Sequence, residues 1–207
     1  MMFIFKKIIN NPVYYFSILI SLIRGSFYLI YYSVLSRRVK IKFPFLVSGK
    51  LIIKGPGYVE IGHKCLVLEN VFKGLTIVTS DKNSHVKIGN NCMLAGLTVY
   101  CRKSVEIGNN VMTARSLIQD SLFLNRDEAL TKQTVHNLEN QSIYIGDNVW
   151  IGGHCIVLSG SNIGADSVIS AYSVCSNDVV KDFSLITGNP VRKPLPIDQL
   201  LKLRNVK

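Results

Sequence analysis

The stretch IGDNVWIGGHCIVLSGSNIGADSVI, residues 145–169, decides the fold of this chain. An aliphatic residue returns at every sixth position along it, and the ladder consists of Ile145, Ile151, Val157, Ile163 and Ile169. A helix repeats its apolar residues about every 3.6 positions and a half-buried strand about every 2. A strict period of six therefore predicts a parallel β-helix, in which each hexad contributes one short strand and one turn.

The repeat extends towards the N-terminus. Three hexads make one triangular coil, and earlier coils begin at the pairs Ile61-Gly62, Ile88-Gly89 and Ile107-Gly108. The 27 residues from Ile61 to Ile88 exceed one coil, which predicts an insertion near residues 79–85. The 38 residues from Ile107 to Ile145 correspond to two coils, but the pattern is lost between residues 122 and 142.

The corners of such a prism need residues that accept tight turns with positive φ, a role that favours Gly, Asn and Asp. The pairs Asn90-Asn91, Asn109-Asn110 and Asp147-Asn148 meet that demand. We therefore predict a mainly β protein with a β-helix over residues 46–190 and a protruding loop over 122–142. An apolar, basic helical segment is expected over residues 1–45, and a short C-terminal helix or tail over 191–207.

The five cysteines are scattered, without a CxxC pair, and no cleavable signal sequence is evident. We interpret them as reduced core residues of a cytoplasmic protein, and we expect no metal site because no pair has ligand spacing. They are Cys65, Cys92, Cys101, Cys155 and Cys175.

The net charge of +11 is unevenly distributed, since residues 1–59 contain nine Lys or Arg and no acidic residue. Residues 13–35 are almost wholly apolar and long enough to span a bilayer. Arg24 at the centre would make spanning costly, by roughly 2.5–3.5 kcal/mol. Two short interfacial helices with a bend at Arg24-Gly25 would avoid that cost. The alternative is a helical segment that caps the open end of the prism or packs against sister subunits.

The basic flanks of this segment predict attachment to an anionic membrane surface, peripheral or anchored at the inner face of the cell membrane. Nucleic acid is not an expected partner, because the basic residues alternate with long aliphatic runs rather than with a base-stacking surface.

The segment from Ile145 to Pro196 resembles the C-terminal half of hexapeptide-repeat O-acetyltransferases, among them maltose, galactoside, capsule and lipopolysaccharide acetyltransferases. The motifs VWIG (Val149–Gly152) and GNP (Gly188–Pro190) carry the resemblance together. It implies a left-handed parallel β-helix, a homotrimer, and acetyl-CoA bound as acyl donor between neighbouring prisms.

The resemblance also implies a set of cofactor-binding residues. Trp150 matches the indole that lines the groove, and Gly153 and Ala171 match positions where the backbone approaches the pantetheine arm. Ser176 and Asn177 replace the usual Thr-Lys pair, which removes one phosphate contact. Arg192, followed by Lys193, could supply that positive charge instead, because a guanidinium can fork onto phosphate.

The catalytic base departs from the family pattern. Acetyl transfer to a hydroxyl needs a group that takes its proton, usually a His. Related polysaccharide-modifying enzymes carry Asp-Ser-Asp-Phe-His where this chain has the sequence DSLFL at residues 120–124, so Leu124 stands at the His position. His136 in the loop is our candidate base, and His154 and His85 are alternatives.

Three functions remain open at this point. The first is O-acetylation of a sugar of a surface polysaccharide or its precursor, and the polar loop suits such a carbohydrate acceptor. The second is N-acylation of an amino sugar, with Asp120 or Asn125 only orienting the acceptor. The third is a catalytically inactive scaffold or partner subunit.

Overall fold

The computed structural model describes residues 11–68, 74–121 and 141–198. Within them, three sheets of short strands run along a prism, and every strand pair is parallel except the last pair of sheet B. From β1 to β20 the strands alternate among sheets A, B and C in that order, so each complete coil adds one strand to each sheet. This arrangement is a parallel β-helix.

The strands are short, two to five residues each. Sheet A contains β1 Val39–Ile41, β4 Tyr58–Ile61, β7 His85–Ile88, β10 Ser104–Ile107, β13 Ile143–Ile145, β16 Asn162–Ile163 and β19 Val179–Val180. Sheet B contains β2 Phe45–Val47, β5 Cys65–Leu68, β8 Met93–Ala95, β11 Met112–Ala114, β14 Trp150–Ile151, β17 Val168–Ile169, β20 Ser184–Ile186 and the antiparallel β21 Leu195–Pro196. Sheet C contains β3 Leu51–Lys54, β6 Leu75–Thr79, β9 Leu97–Cys101, β12 Leu117–Gln119, β15 Ile156–Leu158 and β18 Val174–Cys175.

The six-residue ladder points into the core. Its five members are fully buried and fall in turn on sheets A, B, C, A and B, as a period of one strand and one turn requires. Each inward position stacks on its equivalent in the next coil, since Ile61 pairs with Ile88, Ile88 with Ile107 and Ile107 with Ile145. The core is therefore a set of aliphatic columns parallel to the prism axis.

The direct pairing of Ile107 with Ile145 corrects the prediction of two coils between them. That interval contains one coil, and its remaining residues form an insertion between β12 and β13 whose residues 122–140 lie outside the described part. The excess between Ile61 and Ile88 is divided between residues 80–84 and the interval from β5 to β6. The β-helix begins at Val39, several residues before the expected position 46.

The Asn and Asp pairs lie at the edge that joins sheet A to sheet B, which we call edge AB. The second residue of each pair has positive φ, 57° at Asn91, 57° at Asn110 and 58° at Asn148. The first residue caps the neighbouring coil: Asn109 Oδ1 accepts from the Asn90 backbone N–H at 2.9 Å, and Asp147 Oδ1 from that of Asn109 at 2.7 Å. Both members of each pair are therefore explained by the turn.

One continuous helix, α1 Pro12–Leu35, crosses the N-terminal end of the prism. The predicted bend at Arg24-Gly25 is absent, because both residues bind the first coil. The Arg24 guanidinium donates to the Ser48 carbonyl at 2.7 Å and the Gly49 carbonyl at 3.2 Å. Tyr28 and Tyr32 pack on the core, and the Tyr32 hydroxyl accepts from the Ile53 backbone N–H at 3.0 Å. α1 thus covers the open end, as the capping alternative proposed.

Candidate functional site

The edge that joins sheet B to sheet C, edge BC, has large side chains at its turns where edge AB has mostly amides and acids. Arg115, His154 and Tyr172 occupy consecutive coils there with φ of 43°, 59° and 62°. All three are exposed, and the His154 ring stacks on the Tyr172 ring with centroids 4.9 Å apart and planes 7° from parallel. Bulky residues at positive φ are uncommon and strained, so edge BC is an unusual part of this surface.

Trp150 lies on the outer face of sheet B, three residues before this edge, and its side chain is 55% exposed. It belongs to an outward row that runs along the whole sheet. In register, the row consists of Leu46, Leu66, Met93, Met112, Trp150, Val168 and Leu185. An uninterrupted apolar row on an outer face indicates an interaction surface, because isolated monomers rarely expose such contiguous patches.

Gly152 and Gly153 follow Trp150 and have different reasons to be glycine. A Cβ on Gly152 would lie 2.7 Å from the Ala171 nitrogen and 2.8 Å from the Ile169 carbonyl oxygen, so coil stacking requires its absence. A Cβ on Gly153 would meet nothing closer than the Ala114 carbonyl oxygen at 3.8 Å, and Gly153 has no positive φ. Packing within the chain therefore does not explain Gly153, whereas close approach of a ligand to the backbone does.

A shallow groove of about 350 Å³ runs beside edge BC on the outer face of sheet C. Thr98, Leu117 and Ile156 form its floor, and Arg115 and His154 form its rim. A largely apolar floor beside the Arg115 guanidinium suits an extended ligand with an anionic end. A second groove of about 640 Å³ lies on sheet A and is lined by the alternating charges Lys40, Glu60, Lys87 and Glu106.

The structure brings together some of the predicted cofactor residues and separates others. Ala171 and Arg192 belong to edge BC with Gly153: Ala171 precedes the Tyr172 turn, and Arg192 follows the β20 turn with its backbone N–H on the Thr187 carbonyl at 3.0 Å. Ser176 and Asn177 lie at the opposite side of sheet C, on edge CA, where β18 ends. The strand Val174–Cys175 separates the two groups.

Ser176 and Asn177 also have turn functions. The Ser176 backbone N–H donates to the Asp178 carboxylate at 2.7 Å, and that of Asn177 to the Ser159 carbonyl at 3.0 Å. Asn177 has a φ of 55°, a conformation that Asn tolerates well. An asparagine is therefore accounted for here without a ligand.

The predicted base His136, together with Leu124 and Asn125, lies outside the described residues. The described part of the chain stops at Ser121, after β12 of sheet C, and resumes at Gln141, before β13 of sheet A. This is edge CA, the edge opposite the face of sheet B that carries Trp150. Of the alternatives, His154 is on edge BC near Trp150, and His85 lies in β7 on sheet A.

Asp120 has a structural role that excludes it from orienting an acceptor. It is fully buried, and its carboxylate accepts from the backbone N–H groups of Arg102 at 2.6 Å and Lys103 at 2.7 Å in the preceding coil. Burial raises the pKa of the Cys101 thiol to about 12, and the negative charge of Asp120 adds to that increase. The carboxylate therefore caps a corner and does not face solvent.

The cysteines are buried and unpaired, as expected of reduced core residues. Burial raises the pKa of Cys155. It also raises the pKa of Cys175, to about 12. A hydrogen bond from Cys92 lowers the pKa of Cys65, but Cys65 is completely inaccessible. In the described residues, no group of three His, Cys, Asp or Glu is placed to hold a metal ion.

Sequence reasoning missed Arg115 and Tyr172. A signal for Tyr172 was present, because it follows Ile169 by three positions, as His154 follows Ile151. The repeat predicts a small residue or an amide at this turn position, so a bulky side chain there is an exception. Arg115 follows its inward residue Thr113 by two positions, and only the register of the sheets aligns it with His154.

Comparison with known proteins finds a hexapeptide repeat in this chain. Residues 142–177 match the family model described as bacterial transferase hexapeptide, six repeats. A Staphylococcus aureus (strain COL) protein that carries the name acetyltransferase is 48% identical over 56 residues, which is 27% of this chain and 28% of that protein. The galactoside O-acetyltransferase of Lactococcus lactis subsp. lactis is 30% identical over 120 residues, which is 58% of this chain and 55% of that enzyme. The chain thus spans about half, or less, of the length of the curated relatives that it matches.

Solved structures show the same architecture. The polySia-specific acetyltransferase NeuO superimposes with a TM-score of 0.61 at 23% identity, over 76% of this chain and 70% of that chain. AntD, an N-acyltransferase from Bacillus cereus solved with dTDP and coenzyme A, superimposes with a TM-score of 0.58 at 20% identity. The superposition covers 85% of this chain and 92% of that chain. At these identities the likeness shows the fold alone.

These findings confirm the resemblance predicted from the sequence. The chain carries the transferase hexapeptide repeat over residues 142–177, and it has the left-handed parallel β-helix of hexapeptide-repeat acetyltransferases.

Proposed function

We propose that this protein is an acetyl-CoA-dependent acyltransferase that acetylates a hydroxyl on a sugar of a surface polysaccharide or its precursor. The observation that carries the proposal is Gly153, a glycine on edge BC that neither packing nor φ requires. It lies between the exposed indole of Trp150 and the rim of the sheet C groove, which carries Arg115 and His154. The hexapeptide match over the same coils and the Lactococcus relative, a galactoside O-acetyltransferase, support the same activity.

The residues of edge BC suit acetyl-CoA, the acyl donor, through an open backbone path and a positive charge. The extended pantetheine arm needs an open backbone path, which Gly153 and the short side chain of Ala171 leave free. The phosphates of CoA need positive charge, and Arg192 is exposed on this edge. Asn177, which stands where the family usually has Lys, lies on edge CA and carries no charge. Arg can bind phosphate through two parallel hydrogen bonds, so a single residue can replace the lost contact.

The reaction is a substitution at the thioester carbonyl. The sugar oxygen bonds to the acetyl carbon, the C–S bond breaks, the base takes the hydroxyl proton, and a proton reaches the CoA sulfur. His136 is the proposed base, and a positioned His contributes typically about 10²–10⁴-fold. The Leu at position 124 favours a second candidate, N-acylation of an amino sugar, since a neutral amine attacks without prior loss of a proton.

A homotrimer would bring the parts of this site together. Ser121 and Gln141, which flank the segment 122–140 in sequence, lie at edge CA, whereas Trp150 lies on the face opposite that edge. In a trimer the segment of one chain can reach the sheet B face of its neighbour, and the apolar row beside Trp150 would then be covered. The polar segment would form one wall of the carbohydrate pocket.

The test uses the full-length protein, acetyl-CoA labelled in its acetyl group, and the surface polysaccharide of the source organism. We expect label in the polysaccharide and free CoA in equal amounts, and hydroxylamine should release the label if it is an ester but not if it is an amide. Trp150→Ala should weaken acetyl-CoA binding, whereas Tyr58→Ala, which removes a similarly exposed aromatic from sheet A, should not.

The base is tested in the same assay. His136→Ala should lower transfer at least tenfold while acetyl-CoA still binds, and His154→Ala tests the alternative on edge BC. If the wild-type protein neither binds acetyl-CoA nor releases CoA, it is a non-catalytic scaffold and the proposal is wrong.

A further inference from the structure

The outer side of α1 is an apolar surface with no partner in the described residues. The side chains that face the prism recur along one side of the helix: Ser21 and Gly25 are buried, Tyr28 and Tyr32 pack on the core, and Arg24 binds first-coil carbonyls. The opposite side is exposed and almost entirely apolar. It consists of Val13, Phe16, Leu19, Ile20, Ile23, Phe27, Ile30 and Val34, each at least 40% exposed.

This helix passes the length and composition test for crossing a membrane. The contacts between α1 and the first coil argue against a helix that crosses the membrane. A Cβ on Gly25 would lie 1.8 Å from the Phe45 carbonyl oxygen, so the helix backbone touches the first coil, and Arg24 and Tyr32 satisfy backbone groups of the same coil. A helix held along its middle by the β-helix end cannot be surrounded by lipid.

The charged residues that follow α1 in the sequence have one sign as far as Val59. Arg37 and Arg38 follow the helix, Lys40 and Lys42 follow them, and all four are exposed. Residues 1–59 contain no acidic residue, and Lys40 has the single ion pair described in the structure, with Glu60 at 3.7 Å. Apolar area bordered by Lys and Arg is the composition of helices that lie in the interface of anionic membranes.

We propose that α1 lies in the plane of an anionic membrane surface and that the β-helix stands on it end-on. α1 crosses the end of the prism, so the prism axis then points away from the lipid. Trp150 is four coil steps from Leu46 along sheet B, which is roughly 19 Å at about 4.8 Å per step. The candidate site would stand clear of the bilayer, in reach of a sugar chain attached to a lipid or held near it.

The test is flotation of the full-length protein with vesicles of phosphatidylcholine, with and without phosphatidylglycerol. We expect flotation with the anionic vesicles and release by high salt or alkaline carbonate, which do not extract a spanning helix. Ile23→Glu with Phe27→Glu should abolish flotation. The matched control is Val179→Glu with Phe183→Glu, which changes two similarly exposed apolar residues at the far end of the prism and should leave flotation intact. Arg37→Gln with Lys42→Gln should weaken binding by about tenfold or more.

Trp150 is the only tryptophan of the chain, so its fluorescence reports the orientation. Brominated acyl chains should not quench it when the prism stands end-on. Strong quenching would mean that the sheet B row, not α1, enters the membrane, and the proposal would be overturned. It would also be overturned if the α1 double variant still floats, or if that variant instead loses subunits, which would make a second copy of the chain the occupant of this surface.

Discussion

At the scale of single residues, the neighbouring glycines 152 and 153 separate packing from function. Gly152 faces the backbone of the next coil, and any side chain would push the two coils apart. Gly153 faces open space on edge BC, so the chain itself would accept a side chain there. A pair of adjacent positions that differ in this way allows stability and ligand binding to be measured apart.

We predict opposite results for alanine at these two positions. Gly152→Ala should lower the free energy of unfolding by about 1–3 kcal/mol, because the new methyl group overpacks the coil interface. Gly153→Ala should leave it unchanged or raise it by about 0.4–1 kcal/mol, because alanine restricts the unfolded chain. The measurement is urea unfolding followed by circular dichroism.

Acetyl-CoA binding gives the second readout for Gly153→Ala. Because the methyl group would occupy the path of the pantetheine arm, the dissociation constant for acetyl-CoA should rise at least tenfold in a protein of wild-type stability. Wild-type affinity in this variant would remove edge BC from the donor site and would contradict the observation on which the proposed function depends.

Among single secondary-structure elements, α1 has two different sides, one docked on the prism and one exposed. It closes the first coil, whose backbone groups would otherwise form an open sheet edge, and such edges invite pairing with other chains. The same helix presents apolar side chains outward. Its contact with the prism depends on Gly25, where the helix and the Phe45 backbone approach most closely.

Gly25→Ala tests the docking of α1, because the variant raises the free energy of unfolding if the helix is free and lowers it if the helix is docked. In a free helix, alanine is more favourable than glycine by about 1 kcal/mol. In the docked helix, a Cβ 1.8 Å from the Phe45 carbonyl oxygen forces α1 away from the first coil. We therefore expect lower resistance to urea and exposure of the prism end, detected as increased binding of a hydrophobic dye. Ser33→Ala, on the exposed side of α1, is the control, and a Gly25→Ala protein that is more stable than wild type would contradict the docked arrangement.

At the scale of the whole molecule, the outer faces of the prism differ in character. Sheet A carries an alternating ladder of Lys40, Glu60, Lys87 and Glu106, which suits water. Sheet B carries the apolar row that includes Met112 and Trp150. This asymmetry favours an assembly in which sheet B is covered by a neighbour and sheet A is not.

We expect light scattering to give three times the mass of one chain for the full-length protein in mild detergent. Met112→Glu should shift that mass towards one chain, because it places a charge in the middle of the apolar row, whereas Tyr58→Glu on sheet A should not. A monomeric wild-type protein would contradict the trimer, and the segment 122–140 would then need another route to Trp150.

Much of the fold could be predicted from the sequence, because an inward aliphatic at each sixth position is required whatever the length of the turns. The positions of the turn pairs were equally accessible, since Asn91, Asn110 and Asn148 adopt a φ that few residues accept. Coil counting failed at residues 107–145 because a long insertion adds residues without adding a coil. The roles of Asp120 and Arg24 were also inaccessible, because their backbone partners belong to other coils or elements.

By itself, the sequence determined the period of the coil, the direction of the core side chains and the kinship of residues 142–177, since all three depend on local spacing. Only the tertiary structure decided which residues share an edge. The insertion between Ser121 and Gln141 changes the spacing along the chain, so that Arg115 aligns with His154 through sheet register and not through period. The tertiary structure also decided that α1 is one continuous helix docked on the first coil, because apolar composition alone does not fix what such a segment packs against, and the contacts of Gly25 and Arg24 do.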